Sequence, residues 1–167
     1  ARAVMDANGL SGVAINILNG GNSLTNYYDP KTKSLNLSRE VYASRSVSSV
    51  CIACHEVGHA CQFAQGYTPL KVRSAIVPAV NMASNAWIFI LFIGIFLNLA
   101  GLVDLAIILY AAVVLFQLVT LPVEFNASHR AMDYMKAIGL PEGEVAGSFS
   151  VLRACALTYV AAALASL

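Results

Sequence analysis

The 167-residue sequence predicts an α+β membrane protein that is mainly helical. It would contain a small antiparallel sheet, a helix with a His-Glu-x-x-His motif, a transmembrane helical hairpin and a truncated third transmembrane helix. Composition is the first observation behind this fold class. Hydrophobic residues make up 58% of the chain and charged residues only 11%, whereas soluble domains have about 25% charged residues. The second is a pair of long apolar runs, and the third is a polar segment on each side of that pair.

The polar N-terminal segment predicts one short helix and three strands. "ARAVMDANGL" reads as a helix that stops at Asn8 and Gly9. "GVAINILN" alternates apolar and polar residues as a strand does. "NSLTNYYDPKTKSLNLS" predicts two short strands around the turn at Asp29 and Pro30.

A longer helix follows these strands. Ser38 is a plausible N-cap, and Glu40 lies near the positive end of the helix dipole. Residues 46–65 have helical character and end at Gly66, with Pro69 following.

Two membrane spans are predicted next, because the apolar run at about 80–100 is long enough to cross a bilayer. The turn "NLAGLVD" leads into a second span, "LAIILYAAVVLFQLVTL", which we expect Pro122 to close. A polar helix then stops near Gly139, and "FSVLRACALTYVAAALASL" would begin a third span.

Composition divides the chain into four parts. They are the N-terminal part with the His-Glu-x-x-His helix (1–75), the hairpin (76–122), a polar helix (123–148) and the start of the third span (149–167). Because the chain starts without methionine and ends in an apolar run, we expect a fragment cut at both ends.

The basic residues predict the orientation in the membrane. They lie beside the spans but not at the hairpin tip, which has only Asp104. Under the positive-inside rule the polar parts face the cytoplasm. The basic residues concerned are Lys71, Arg73, Arg130, Lys136 and Arg153. A net charge of +1 gives no indication of nucleic-acid binding.

"SVCIACHEVGHACQF" contains two overlapping metal motifs. Cys51-x-x-Cys-His is the attachment motif of c-type haem, and His55-Glu-x-x-His is the zinc-binding helix of metalloproteases. Residues four apart share a helix face, so His55 and His59 can bind one zinc ion. Glu56 then lies where it can act as a general base, and Gly58 leaves room for another backbone or the substrate. The haem interpretation leaves Glu56 and His59 unexplained, and it belongs outside the cytoplasm. The alternative to a zinc site is that His55 and His59 are two surface histidines on an amphipathic helix.

The cysteines have simpler roles in this interpretation. Cys54 and Cys61 share a face beside the histidines, where they can pack as small hydrophobic residues. Cys51 lies one turn before His55, so a Cys51 thiolate close to the metal remains an alternative.

A catalytic zinc usually has three protein ligands, so a third must come from elsewhere. The His-Glu-x-x-His-x-x-Gly-x-x-His pattern fails at Gln62 and Gln65. The Leu-Asp-Gly motif of intramembrane site-2 proteases is also excluded, because the only nearby aspartate, Asp104, lies at the far membrane face. The remaining candidates on the cytoplasmic side are Glu124, His129 and Asp133. Glu124 is favoured because it follows "LPV" at the end of the second span. A glutamate that is only a charged residue at the N-terminus of an interfacial helix would give the same sequence pattern.

The order of these parts resembles the YugP-like bacterial membrane zinc metallopeptidases, also called neutral zinc metallopeptidase type 2. The resemblance rests on "HEVGHACQFAQGYTPLKVRSAIVP", the double span, "LPVEFNASHRA" and "LTNYYDPKTKSLNLS", and it covers nearly the whole chain. It implies a gluzincin-type site, similar to that of the CAAX prenyl proteases. His55, His59 and Glu124 become the ligands of one zinc ion, and Glu56 becomes the base.

The chain departs from the family pattern in the residues around the ligands. Ser128 stands where related proteases often have aspartate, while Asn126 and His129 replace the Asp and Arg of the commoner "EFDASRRA". These departures concern the residues that support the ligands, not the ligands themselves.

Together these observations predict an integral-membrane zinc metalloendopeptidase of the bacterial inner membrane, with a cytoplasmic active site. Its expected partners are a peptide or protein substrate and the lipid bilayer, without nucleic acid. His129, Tyr27 and Tyr28 are candidates to stabilise the oxyanion, and the strand at 35–37 is a candidate to pair with an extended substrate. The alternative is a non-catalytic membrane scaffold whose structural zinc has a fourth protein ligand.

Overall fold

The computed structural model describes residues 1–20 and 25–165, and it confirms the predicted fold class. Residues 22–24 of the predicted strand pair and 166–167 of the predicted third span lie outside the described residues. The elements in order are α1 (Arg2–Ala7), β1 (Ala14–Leu18), β2 (Tyr27–Asp29), β3 (Ser34–Ser38), α2 (Arg39–Ala43), α3 (Val47–Ala64), α4 (Thr68–Phe96), α5 (Ala100–Ala137) and α6 (Glu142–Ala165).

The sheet has the order β1-β3-β2, so the last strand in sequence is the central one. β2 and β3 form the antiparallel pair expected from the turn at Asp29 and Pro30. β1 pairs with the other edge of β3 in parallel, so the prediction of an antiparallel sheet is wrong for β1. Because β3 is inserted between two strands that run in opposite directions, it must be parallel to one of them.

β3 is buried along its whole length. Leu35 faces a partner on each side, Ile15 in β1 and Tyr28 in β2. The prediction that this strand pairs with a substrate is therefore wrong, because both of its edges are already occupied at Leu35.

The chain folds as two compact units. One comprises Ala1–Tyr67 and Glu124–Cys155, and the other Thr68–Val123 and Ala156–Leu167. The core of the first unit contains Met5, Leu35, Leu37, Val57 and Met135, all at most 2% exposed. Burying a side chain of this size contributes about 1.5–3 kcal/mol. Cys54 and Cys61 belong to the same core, which confirms that they pack as small hydrophobic residues.

The second unit contains the apolar hairpin. α4 and the first part of α5 are joined by a turn at 97–99, shorter than the predicted 98–104. A Cβ on Gly94 would lie 3.0 Å from the backbone nitrogen of Val103, so the helices approach closely there. The Trp87 and Tyr110 rings pack with centroids 4.8 Å apart.

α4 and α5 are long and apolar enough to cross a membrane, and little of either apolar segment is buried. Within the described part of the chain they are the two helices that meet these criteria. α6 forms where the third span was predicted to start, and its role as a span stays a prediction.

α5 continues through Pro122 to Ala137, so the prediction that Pro122 closes the second helix is wrong. Proline removes one backbone donor and disturbs the preceding turn. The turn before it has a side-chain contact, in which the Thr120 hydroxyl donates to the Phe116 carbonyl at 3.0 Å. Glu124 consequently lies inside a 38-residue helix and not at the start of a new one.

Candidate metal centre

α3 presents two histidines on one face. Its N-cap is Ser46, whose hydroxyl accepts a hydrogen bond from the Ser49 amide, and Gly66 follows its end with φ 65°. The helix extends well beyond His55 and His59 on both sides, so both are held in regular geometry. Their rings meet edge to face with centroids 4.8 Å apart.

α5 brings Glu124 to these histidines. Its Oε2 atom lies 3.3 Å from His55 Nε2 and 3.7 Å from His59 Nε2. One candidate ligand atom from each of the three residues lies within 4.8 Å of the others. The structure thus joins two segments that the whole hairpin separates in sequence.

The three side chains fit a zinc ion. Zinc–nitrogen distances of about 2.0–2.1 Å with tetrahedral angles place neighbouring ligand atoms about 3.4 Å apart, close to the two measured spacings. Two histidines and one glutamate are also a ligand set found in catalytic zinc sites. The group can therefore hold a metal ion, and its assignment as the zinc ligands stays a prediction.

Electrostatics favour an ionised Glu124. Burial raises the pKa of this carboxyl, but the close imidazoles of His55 and His59 outweigh burial and hold the pKa well below its usual range. For His59 the balance is reversed. Burial lowers its pKa, while the contact with Glu124 and the charges of Glu56 and Glu124 raise it above the ordinary value. A carboxylate that stays ionised is available as a metal ligand.

Glu56 lies next to His55 on α3 and outside the three-residue group. Burial raises the pKa of its carboxyl, and the charges of His59 and His55 only partly oppose this. The backbone amide of Tyr28 in β2 donates a hydrogen bond to it. A glutamate with a raised pKa beside a metal site has the properties of a general base.

α3 and α5 touch at Gly58. A Cβ at this position would lie 2.8 Å from the Ala127 carbonyl oxygen, closer than real Cβ contacts allow. This confirms that the small residue inside the motif admits another backbone. The contact lies between His55 and His59 on α3 and just after Glu124 on α5, so it sets the spacing of the metal group.

In both histidines, the Nδ1 atom, which faces away from Glu124, contacts a polar side chain. Ser128 Oγ lies 3.3 Å from His55 Nδ1, and Gln62 Oε1 lies 3.0 Å from His59 Nδ1. Sequence reasoning noted Ser128 only as a departure from the family pattern and gave Gln62 no role. A polar residue on the buried face of α3, one turn after His59, was the available signal.

The other candidates do not join the group. The exposed His129 packs its ring against Phe149, and its Nδ1 donates to the Phe125 carbonyl. Asp133 is exposed on α5. Cys51 lies in the core with Sγ 3.9 Å from the Ser148 carbonyl oxygen. Among the described residues, the group of three potential metal ligands remains His55, His59 and Glu124.

Comparison with known proteins identifies a family and a relative. The model of a family described as "Putative neutral zinc metallopeptidase" matches residues 1–167. Over 168 residues the chain is 46% identical to "Putative membrane protease YugP" of Bacillus subtilis (strain 168), and the match covers all of this chain and 74% of that relative. No solved structure matches the chain.

Proposed function

Because the chain belongs to the neutral zinc metallopeptidase family, we propose that it is an integral-membrane zinc metalloendopeptidase of the gluzincin type. The observation that carries this proposal is the convergence of His55, His59 and Glu124, with Glu56 beside them on the same helix. The reaction needs protein groups that act as a base, donate a proton and orient the substrate.

When bound to these three side chains, one zinc ion would lower the pKa of water to about 7 and polarise the scissile carbonyl. Glu56 accepts the proton of the attacking water and passes it to the leaving nitrogen. Burial raises the pKa of Glu56, which brings its proton affinity closer to the value that both transfers need. The Tyr28 amide keeps the carboxyl oriented.

The substrate in this proposal is an extended peptide along β2. β2 is an edge strand of the sheet, and Tyr28 within it contacts Glu56. Extended peptides bind to sheet edges through backbone hydrogen bonds. A peptide paired with β2 would therefore pass close to the general base.

We further propose that α4 and α5 cross the bacterial inner membrane and that the site faces the cytoplasm. Two apolar helices and the name of the Bacillus subtilis relative support a membrane location. The absence of lysine and arginine between Arg73 and Arg130 supports the orientation. The lipid bilayer and a protein substrate are the proposed partners, without nucleic acid.

The alternative, a scaffold with a structural zinc, has less support. A structural zinc normally has four protein ligands, and Cys51 was the candidate for the fourth. In the part of the chain that the structure describes, Cys51 lies outside the three-residue group. A three-ligand group with a neighbouring general base is the pattern of a catalytic site.

Metal content tests the ligand assignment. We expect purified wild type to hold about one zinc ion per chain, as catalytic sites of this kind do, and His59→Ala and Glu124→Ala to lose it. Asp133→Ala is the matched control, because it removes an exposed carboxylate from the same helix as Glu124. Zinc retained in Glu124→Ala would refute the ligand set.

Glu56→Gln tests catalysis separately from metal binding. The variant should hold as much zinc as wild type, while casein hydrolysis falls by about 10²–10⁴-fold, the usual contribution of general acid–base catalysis. Chelation of the metal should abolish wild-type hydrolysis, and added zinc should restore it. Unchanged hydrolysis by Glu56→Gln would refute the mechanism.

A further inference from the structure

A chain of partly buried hydrogen bonds runs from His59 to the surface of the first unit. His59 Nδ1 lies 3.0 Å from Gln62 Oε1. The other end of that amide, Gln62 Nε2, lies 3.0 Å from Asn126 Oδ1, and the same oxygen lies 2.9 Å from Arg130 Nε. This hydrogen-bond chain therefore connects α3 to α5 and starts at a proposed metal ligand.

The guanidinium at the end of this chain has only donors, and this fixes the direction of every bond. Arg130 cannot accept a hydrogen bond, so the Asn126 atom that faces it must be the carbonyl oxygen. That oxygen accepts from Gln62, so the Gln62 atom facing Asn126 must be the amide nitrogen. The Gln62 oxygen then faces His59 and requires a proton on Nδ1.

The consequence is a defined tautomer of the neutral His59 ring. With its proton on Nδ1, the lone pair lies on Nε2, the atom 3.7 Å from Glu124 Oε2. Metal-binding histidines generally donate their other N–H to a protein acceptor, which fixes the ring and increases ligand basicity. Gln62 is fully buried, so water has little access to the amide end of this bond.

His55 is held differently. Its Nδ1 faces the Ser128 hydroxyl at 3.3 Å, and a hydroxyl can donate or accept. The Ser128 contact thus allows either tautomer of His55, whereas the contact at His59 allows one.

We propose that Gln62, Asn126 and Arg130 are positioning residues, which together hold His59 with its Nδ1 protonated and its Nε2 ready to bind the metal. The proposal rests on the metal site described under the proposed function. It does not depend on peptide hydrolysis, so each can fail without the other.

Nitrogen NMR of the histidine rings tests the proposal directly. We would record ¹⁵N spectra of the zinc-free full chain in detergent, at a pH where the rings are neutral, and assign His59 by its loss in His59→Ala. Wild type should show His59 protonated at Nδ1. Asn126→Leu and Gln62→Met should give a mixture of tautomers. A wild-type ring protonated at Nε2 would overturn the proposal even if no variant folded.

Zinc affinity, measured by chelator competition, gives the second readout. Asn126→Leu and Gln62→Met should bind zinc about 10–100-fold more weakly. Asn126→Asp should bind as tightly as wild type, because both carboxylate oxygens are acceptors and the bond directions are kept. Gln65→Met is the matched control, since it removes a different partner of Arg130, at 2.8 Å, and leaves the hydrogen-bond chain to His59 intact.

Two patterns would contradict the proposal. One is wild-type affinity in a folded Asn126→Leu variant. The other is an Asn126→Asp variant that binds zinc as weakly as Asn126→Leu. That result would show that the amide has a merely structural role, which both substitutions remove. A wild type that binds no zinc while His59 is protonated at Nδ1 would instead refute the proposed metalloenzyme.

Discussion

At the scale of single residues, local spacing was sufficient to predict part of the candidate metal centre. His55, Glu56 and His59 follow from one helical turn, and the helix formed as the motif required. Glu124 was selected from three carboxylate and imidazole candidates by its position after the second span, and it is the one that lies beside the histidines. Gln62 and Asn126 could not be paired from sequence, because their contact depends on how α3 packs on α5.

Ser128 gives a prediction at this scale. Ser128→Ala removes the hydroxyl at 3.3 Å from His55 Nδ1, so this nitrogen loses the contact with Ser128. We expect zinc binding to weaken by about tenfold, the lower end of the range for residues that support metal ligands, because the contact is long. Chelator competition measures it. Ser150→Ala, which removes an exposed hydroxyl from α6, should bind zinc as wild type does. Equal affinities in both variants would show that Ser128 does not support His55.

At the scale of helices and strands, it was easier to predict that an element forms than to predict the direction of a strand or the length of a helix. Turn residues located the β2–β3 pair and the ends of α3 and α5 at Gly66 and Gly139. The direction of β1 was missed because alternation indicates a strand but not its partner. Pro122 was given too much weight as a helix end. Neighbouring contacts can compensate for the donor that proline removes in membrane helices, and these are tertiary features.

The contact between α3 and α5 gives a second prediction. Gly58→Ala places a methyl group against the Ala127 carbonyl, so the helices must separate. We expect about 1–3 kcal/mol of destabilisation, as in other overpacked interiors, together with weaker zinc binding. Thermal unfolding in detergent and chelator competition would measure the two effects.

The matched control is a helical glycine with open space. At Gly147 in α6, apart from the neighbouring residues and the backbone of the same helix, no described atom lies within 4 Å of the place that an added methyl group would occupy. Gly147→Ala should therefore stabilise the protein by about 0.5–1 kcal/mol through the unfolded state. A Gly58→Ala protein as stable as Gly147→Ala would contradict the close approach of the helices.

The β2–β3 turn gives a prediction on pH. Hydrogen bonds from the Thr32 hydroxyl and the Lys31 amide hold the pKa of Asp29 below its usual value. A lowered pKa stabilises the fold above the unfolded value of about 3.9 and loses that effect as the pH falls through the folded value. The stability difference between wild type and Asp29→Ala should thus be constant near neutrality and narrow below about pH 4.

Chemical denaturation at a series of pH values would measure that difference. Asp29→Asn serves as the control, because it keeps an oxygen acceptor for the Lys31 amide but does not ionise. The difference between Asp29→Asn and Asp29→Ala should not change with pH. A wild-type difference that widened in acid would contradict the role assigned to the carboxylate.

At the scale of the whole molecule, composition predicted the class of protein, and the two apolar helices agree with it. The orientation in the membrane is testable on one helix, since Asp104 and Lys136 lie near opposite ends of α5 and both are exposed. In intact cells, a membrane-impermeant maleimide should label Asp104→Cys. It should label Lys136→Cys only after the membrane is permeabilised. The unaltered chain gives the background labelling of its four cysteines. The reverse labelling pattern would place the site on the outer side of the membrane.

The metal group draws on two segments that are far apart in the order of synthesis. The helix with both histidines is complete by residue 65, but Glu124 is added only after the whole apolar hairpin has been translated. At about 5–20 residues per second, a nascent chain spends several seconds with only two of the three proposed ligands. A ribosome-bound precursor would thus lack a complete metal group until the part of α5 that carries Glu124 has left the exit tunnel.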